Sequence, residues 1–187
     1  SKYNIKESNH WKLNNVIEKE KTFNENELRK ITYRPFDERE IYYNESFVDR
    51  TRRSVGSELI KDNLVLNLAK IVKSEWNHTL ITKSIPTAIS MEINGTYFTP
   101  LYIYPKINRQ QTIEKNEERK PNLKQEIVDV IATKLDLVFT NEKDISENTF
   151  SPIDILDYIY AVLHAPTYRE KYNAFLKTGF PRVPYPK

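Results

Sequence analysis

The chain opens polar. In its first thirty residues the apolar positions Trp11, Leu13, Val16 and Ile17 fall on one face of a short helix. Residues 1–30 are therefore expected to form a partly helical connector. From Ile31 the texture becomes β-favouring: Ile31-Thr32-Tyr33-Arg34 and Glu40-Ile41-Tyr42-Tyr43 read as strands around a turn at Pro35. Asp49 is placed to cap a helix through Arg52, Val55, Leu59 and Ile60. Strand patterns return at Leu64–Leu68, Thr79–Thr82 and Thr96–Tyr104, the last marked by Pro100 and Pro105 as an edge strand or an interrupted one.

Lys106–Lys120 is polar and charged and reads as an exposed loop. Beyond it Leu123, Ile127, Ile131, Leu135 and Val138 recur at helical spacing. Ser151-Pro152 is a helix start signal leading into Ile155, Ile159 and Val162, with Asp154 and Asp157 suited to the helix's first turns. A third helix follows Pro166, carries Tyr168, Tyr172 and Phe175, and ends by Gly179. The pattern predicts an α+β fold. A mixed or antiparallel sheet of short strands, mainly within 31–105, precedes a helical subdomain mainly within 122–178, and 31–187 form one domain.

Composition narrows the function. With 187 residues, 39% hydrophobic and 12% aromatic, the chain can bury a core. It has no cysteine, which excludes disulfides, thiolate nucleophiles and cysteine-bound zinc, and fits a reducing cytoplasm. No apolar run approaches a membrane span of roughly 18 residues, so no membrane partner is expected. Ser1 is not preceded by a methionine, as expected of a piece cut from something longer or of a processed chain. The net charge is only +3, but between Arg50 and Ile89 seven basic residues face three acidic ones, a local excess of four. That stretch suits an anionic partner such as DNA, alongside the ordinary reading of a solvated surface of mixed charge.

Catalytic chemistry finds little footing. His10, His78 and His164 lie far apart, without the short spacing of a helical metal pair, so no metal site is expected. His164 closes an apolar helix, where capping or packing is expected and a cation would suit the dipole. The string Glu18-Lys19-Glu20-Lys21 resembles a metal-nuclease pair only in composition, in a stretch without strand character. With three glycines, the chain has no Gly-x-Gly loop, no Walker loop and no adenine-methyltransferase motif, so neither S-adenosylmethionine nor ATP chemistry is expected here. What remains is a basic and aromatic set: Arg34, Arg39, Arg50, Arg52, Arg53, Lys70, Lys73, Trp76 and Lys83. Arginine and lysine neutralise phosphates, and arginine pairs with guanine. Against this, Arg34 and Arg39 flank Asp37 and Glu38, which predicts internal ion pairs, and a tryptophan is more often buried than stacked on a ligand.

Several ordered strings carry a resemblance. Tyr33-Arg34-Pro35-Phe36-Asp37-Glu38-Arg39, then Ile41-Tyr42-Tyr43-Asn44 and Asp49-Arg50-Thr51-Arg52-Arg53, resemble the segment that follows the adenine methyltransferase domain in single-polypeptide, translocating (Type ISP) restriction-modification enzymes. Pro100–Pro105, Ser151–His164, Pro166–Tyr172, Phe175-Leu176 and Phe180-Pro181-Arg182 follow in the same order, so the similarity runs from about Ile31 to Lys187. Leu64–Asn94 matches loosely, with Ala69-Lys70 where relatives carry Arg-Gln. The resemblance implies a C-terminal specificity domain that reads duplex DNA for an upstream adenine N6-methyltransferase. The parent would use S-adenosylmethionine, with Mg²⁺ and ATP where nuclease and helicase-like modules are present. The fragment itself would not be catalytic. The competing expectation is a module whose Tyr- and Leu-rich face, Ile155–Phe175, docks on the methyltransferase domain of the same chain, with incidental DNA contact; a large exposed apolar patch there would favour it.

Overall fold

The computed structural model describes residues 6–8, 11–19, 22–44, 46–48, 58–73, 75–87, 91, 95–104 and 118–187. A short helix, α1 (Leu13–Lys19), buries only Val16. The Trp11 indole N–H beside it donates to the Ser46 carbonyl at 2.8 Å, tying the N-terminal segment to the residues after the first hairpin. That hairpin is β1 (Leu28–Arg34) and β2 (Asp37–Tyr42), antiparallel and joined at Pro35 and Phe36. Proline presets one corner of the turn, and Phe36 takes the other at φ 63°, a left-handed backbone that glycine favours and a bulky side chain rarely adopts. The register shifts between Thr32 and Arg34, so Thr32 pairs with Glu38 and Ile31 with Arg39.

A second sheet places β3 (Val65–Ala69) between β4 (Thr79–Thr82) and β6 (Thr96–Pro100), all antiparallel. Between β4 and β6 the chain crosses to the first sheet, where β5 (Ile85–Pro86) runs parallel to β1. Pro100 ends β6, whose ladder among the described residues is with β3 alone, so its missing N–H interrupts no further pairing there. Both faces of β3 are covered, which accounts for the nearly continuous apolar run Leu64–Leu68. Val65 packs with Ile31, Leu59, Ile85 and Phe98, while Leu66 and Leu68 meet the C-terminal helices. Asn67 is fully buried, and its amide donates to the carbonyls of Val65 and Leu80 and to the Thr82 hydroxyl.

Of the helix expected after Asp49, residues 49–57 lie outside the described residues, and Glu58 and Leu59 are helical. Of the expected Lys106–Lys120 loop, 106–117 also lie outside them. Its end is ordered: β8 (Lys120–Pro121) pairs with β7 (Tyr102–Ile103). Arg119 donates to the Glu142 carboxylate at 2.7 and 2.9 Å and to the Asp62 carbonyl at 3.0 Å, and lies 4.0 Å over the Tyr102 ring. One side chain thus ties three distant segments together.

Helix α2 (Gln125–Leu135) buries Val128 and Ile131, while Ile127 is exposed. A strict four-residue repeat precesses about 40° per step on a helix of 3.6 residues per turn, so the buried face follows 128, 131 and 135 instead. Val138 is likewise exposed, in β9 (Val138–Phe139), which pairs in parallel with β10 (Thr149–Phe150). Helix α3 (Pro152–His164) starts as its sequence predicts, with Pro152 in its first turn. The Ser151 backbone N–H and hydroxyl donate to the Asp154 carboxylate at 2.9 and 2.7 Å, and Lys143 pairs with the same group. Helix α4 (Pro166–Leu176) follows at once and buries Tyr168 and Leu176. The Arg169 guanidinium donates to the Leu163 carbonyl at 2.6 Å, so arginine supplies the positive charge at the end of α3. The His164 ring packs 4.2 Å from that of Tyr160, and desolvation and the neighbouring Arg169 push its pKa below the usual histidine value. Among the described residues, no helix is long and apolar enough to cross a membrane.

Candidate nucleic-acid interface

Alternation along β1 sends Ile31 into the core and leaves Lys30 exposed. On that side a cleft of about 740 Å³ opens between the hairpin, the Leu59–Lys61 segment and the strand end Leu80–Ile85. Among the described residues, Arg29, Lys30, Lys61 and Lys83 line it, against one carboxylate, Glu38. The Arg29 guanidinium is held by the carbonyls of Asn26 and Leu28, at 2.5 and 2.7 Å, and the Lys61 ammonium lies 4.5 Å over the Tyr104 ring. Lys30 and Lys83 are exposed. Phe36, also lining the cleft, is 95% exposed at the hairpin tip.

Glu38 is positioned from below. The Ser84 hydroxyl donates to its Oε1 at 2.7 Å, and the Thr32 hydroxyl lies 2.6 Å from that of Ser84. Both hydroxyl residues are buried, Thr32 at 2% exposure and Ser84 at 8%. With the Ser84 proton directed at the carboxylate, Thr32 is the donor to Ser84. The register shift in β1 makes this possible by bringing Glu38 opposite Thr32.

Of the residues that sequence singled out, Lys83 lines this cleft. Arg39 is engaged by Asp37 at 3.2 and 2.8 Å, and its guanidinium stacks 4.0 Å over the Tyr33 ring. That pairing holds the Asp37 carboxyl below the usual carboxylate range. Arg34 covers the same ring at 4.7 Å and donates to the Tyr33 carbonyl. Lys70 and Lys73 follow β3 at the opposite end of the β3–β4 ladder from Lys83, with Lys70 5.5 Å from the Phe180 ring. Trp76 is a correction: it is 4% exposed in the core with Leu163 and Leu176, and its indole N–H donates to the Ala69 carbonyl, so its ring is not available to stack on a base. Arg50, Arg52 and Arg53 lie outside the described residues. Residue types alone missed Arg29, Lys30, Lys61, Phe36 and Glu38. For Lys30 the available signal was its place next to apolar Ile31 in a strand, which sets the two on opposite faces.

The Tyr- and Leu-rich face of Ile155–Phe175 is largely spent inside the molecule. Ile155, Leu156, Leu163 and Tyr168 are buried, while Tyr172 and Phe175, one turn apart on α4, are exposed. Among the described residues, no three side chains suited to a metal ion converge.

A family model described as the Type ISP C-terminal specificity domain matches residues 2–187. The fold is also similar to parts of three solved structures. One is a cryo-EM structure of a DrdV–DNA complex, at 27% identity and TM-score 0.67, over 89% of this chain and 14% of that one. Another is the ATP-dependent Type ISP restriction-modification enzyme LlaBIII bound to DNA, at 19% identity and TM-score 0.65, over 95% and 11%. The third is a nuclease-deletion mutant of the Type ISP enzyme LlaGI with a DNA substrate mimic, at 19% and 0.52, over 89% and 12%. This chain therefore spans between 11% and 14% of the chains it resembles. Among curated proteins, none matches it.

Proposed function

The chain belongs to the Type ISP C-terminal specificity domain family, and from that membership we propose that it binds duplex DNA and reads the target sequence for a restriction-modification enzyme. The observation that carries the reading is the cleft, which among the described residues is lined by four cations and one carboxylate and by Phe36 of the exposed hairpin tip. Lysines and arginines on such a surface neutralise phosphates, and groups fixed among them meet base edges. Lys30, Lys61 and Lys83 serve as phosphate contacts, and Arg34, Arg50, Arg52, Arg53, Lys70 and Lys73 are further candidates on the same partner. The bidentate pairing of Arg39 with Asp37 makes it a support for the hairpin.

The fragment has a binding role, and the chemistry belongs to the rest of its parent chain. We assign to that parent an adenine N6-methyltransferase using S-adenosylmethionine, with Mg²⁺ and ATP serving nuclease and helicase-like modules, and a cytoplasmic setting. The test is duplex binding by the full parent chain across a salt series. Removing one phosphate-neutralising cation should lower the log–log salt slope by about one. Replacing Lys30, Lys61 and Lys83 by alanine should therefore flatten the slope by about three and weaken binding to all sequences alike. An unchanged slope would remove the cleft from the DNA interface.

A further inference from the structure

Glu38 is out of keeping with its surroundings. A lone carboxylate among four cations ordinarily pairs with one of them. Among the described residues, ion pairs fall instead on Glu7, Asp37, Asp62, Glu142 and Asp154. Glu38 is held by the buried Thr32–Ser84 hydroxyl relay through Oε1, and it is exposed and lines the cleft. A carboxylate repels phosphates, so on a DNA-binding surface it lowers affinity unless it meets a hydrogen-bond donor. In the major groove the donors are exocyclic amino groups, N4 of cytosine and N6 of adenine, and a carboxylate is a recognised acceptor for the former.

We propose that Glu38 is a specificity-determining residue: its carboxylate accepts a hydrogen bond from an exocyclic amino group in the major groove, while the surrounding cations hold the flanking phosphates. The inference rests on the DNA-reading function proposed above. Ser84 and Thr32 act as positioning residues, fixing the acceptor before DNA arrives so that binding freezes out little further side-chain freedom.

The experiment is selection from a randomised duplex DNA library by the full parent chain at fixed salt, comparing wild type with Glu38→Ala and Glu38→Gln. Glu38 is exposed, so both variants should fold, which a thermal melt checks. Glu38→Ala should remove the preference at one base pair, by roughly 5- to 150-fold, and leave the other positions intact. Glutamine pairs with adenine through N6 and N7, so Glu38→Gln separates the two donors: a cytosine preference in wild type should move toward adenine, whereas an adenine preference should persist. Variants that select the wild-type sequence unchanged, or lose affinity equally for every sequence, would overturn the assignment of Glu38 and leave DNA reading intact. A wild type that selects no sequence would overturn both.

Discussion

The two faces of β3 meet different neighbours. On one, Leu66 and Leu68 pack against Leu156, Leu163 and Leu176 of two helices. The start of the first of these helices is capped and the Leu163 carbonyl at its end is taken by Arg169. On the other, Val65 and Phe98 pack against Ile31 and Ile85 of a short three-stranded sheet, and the space beside it is left as a cleft lined by cations. Polar groups on the helical side are tied to one another, as in the Arg119 and Asp154 clusters. On the hairpin side Arg39 and Asp37 are also paired, but the cleft is lined by one carboxylate held through Ser84 and by the exposed Lys30 and Lys83. On the proposed function, the difference separates scaffold from reading surface: stability should concentrate on the first side and binding on the second.

The sharpest way to break that division is to damage the helical face. Leu163 is fully buried, and Leu163→Ala should cost about 2–5 kcal/mol, seen as a lower urea midpoint. A loss of less than about 1 kcal/mol would mean that the helices do not carry the core. Next in size is Arg119→Met, which removes the link between Asp62, Tyr102 and Glu142 while keeping the length of the side chain. Glu142 is half-exposed and can be rehydrated, so the expected cost is about 1–2 kcal/mol.

Asp154→Ala removes the carboxylate that accepts from Ser151 at the start of α3 and should cost about 1 kcal/mol. Its effect has a pH signature. Burial raises the Asp154 pKa, but hydrogen bonds from Lys143 and Ser151 outweigh it and hold the carboxyl below its ordinary value; the Arg119 guanidinium does the same for Glu142. A group whose folded pKa is depressed stabilises the fold above its unfolded pKa, and that stability is lost as pH falls through the folded value. The acid limb of the stability curve should therefore be shallower in Asp154→Ala than in wild type.

How much of this was legible beforehand depended on whether local rules set the outcome. The start of α3 was readable because Ser151, Pro152 and Asp154 act within a few residues of one another. The strands were readable where the apolar run was covered on both sides, as at Leu64–Leu68. The cleft was not. A regular two-residue turn at Pro35–Phe36 would pair Tyr33 with Glu38 and Thr32 with Arg39. The irregularity at Tyr33 shifts this by one residue, and a one-residue shift exchanges the faces of β2. Glu38 thereby reaches Ser84, and Arg39 joins Tyr33 and Asp37. Nor does residue type distinguish Trp76 from an exposed tryptophan. Its burial comes from Leu163 and Leu176, roughly ninety residues further along the chain.

The smallest expected effect carries the opposite sign. Phe36 is 95% exposed and holds a left-handed backbone at φ 63°, so it contributes little burial to the fold and carries strain that glycine would not. A left-handed conformation costs an ordinary residue about 1–2 kcal/mol, and glycine returns about 0.5–1 kcal/mol of that through its freedom in the unfolded chain. Phe36→Gly should therefore leave the domain equally stable or up to about 1 kcal/mol more stable, read as an unchanged or higher urea midpoint. If the hairpin tip belongs to the reading surface, the same substitution weakens duplex binding by the full parent chain while the fold gains. Strain kept at a position that adds nothing to stability is what a binding role would require. A clear loss of stability in Phe36→Gly would instead make the tip part of the scaffold, and the division between the two sides of β3 would fail at the point where it is most exposed.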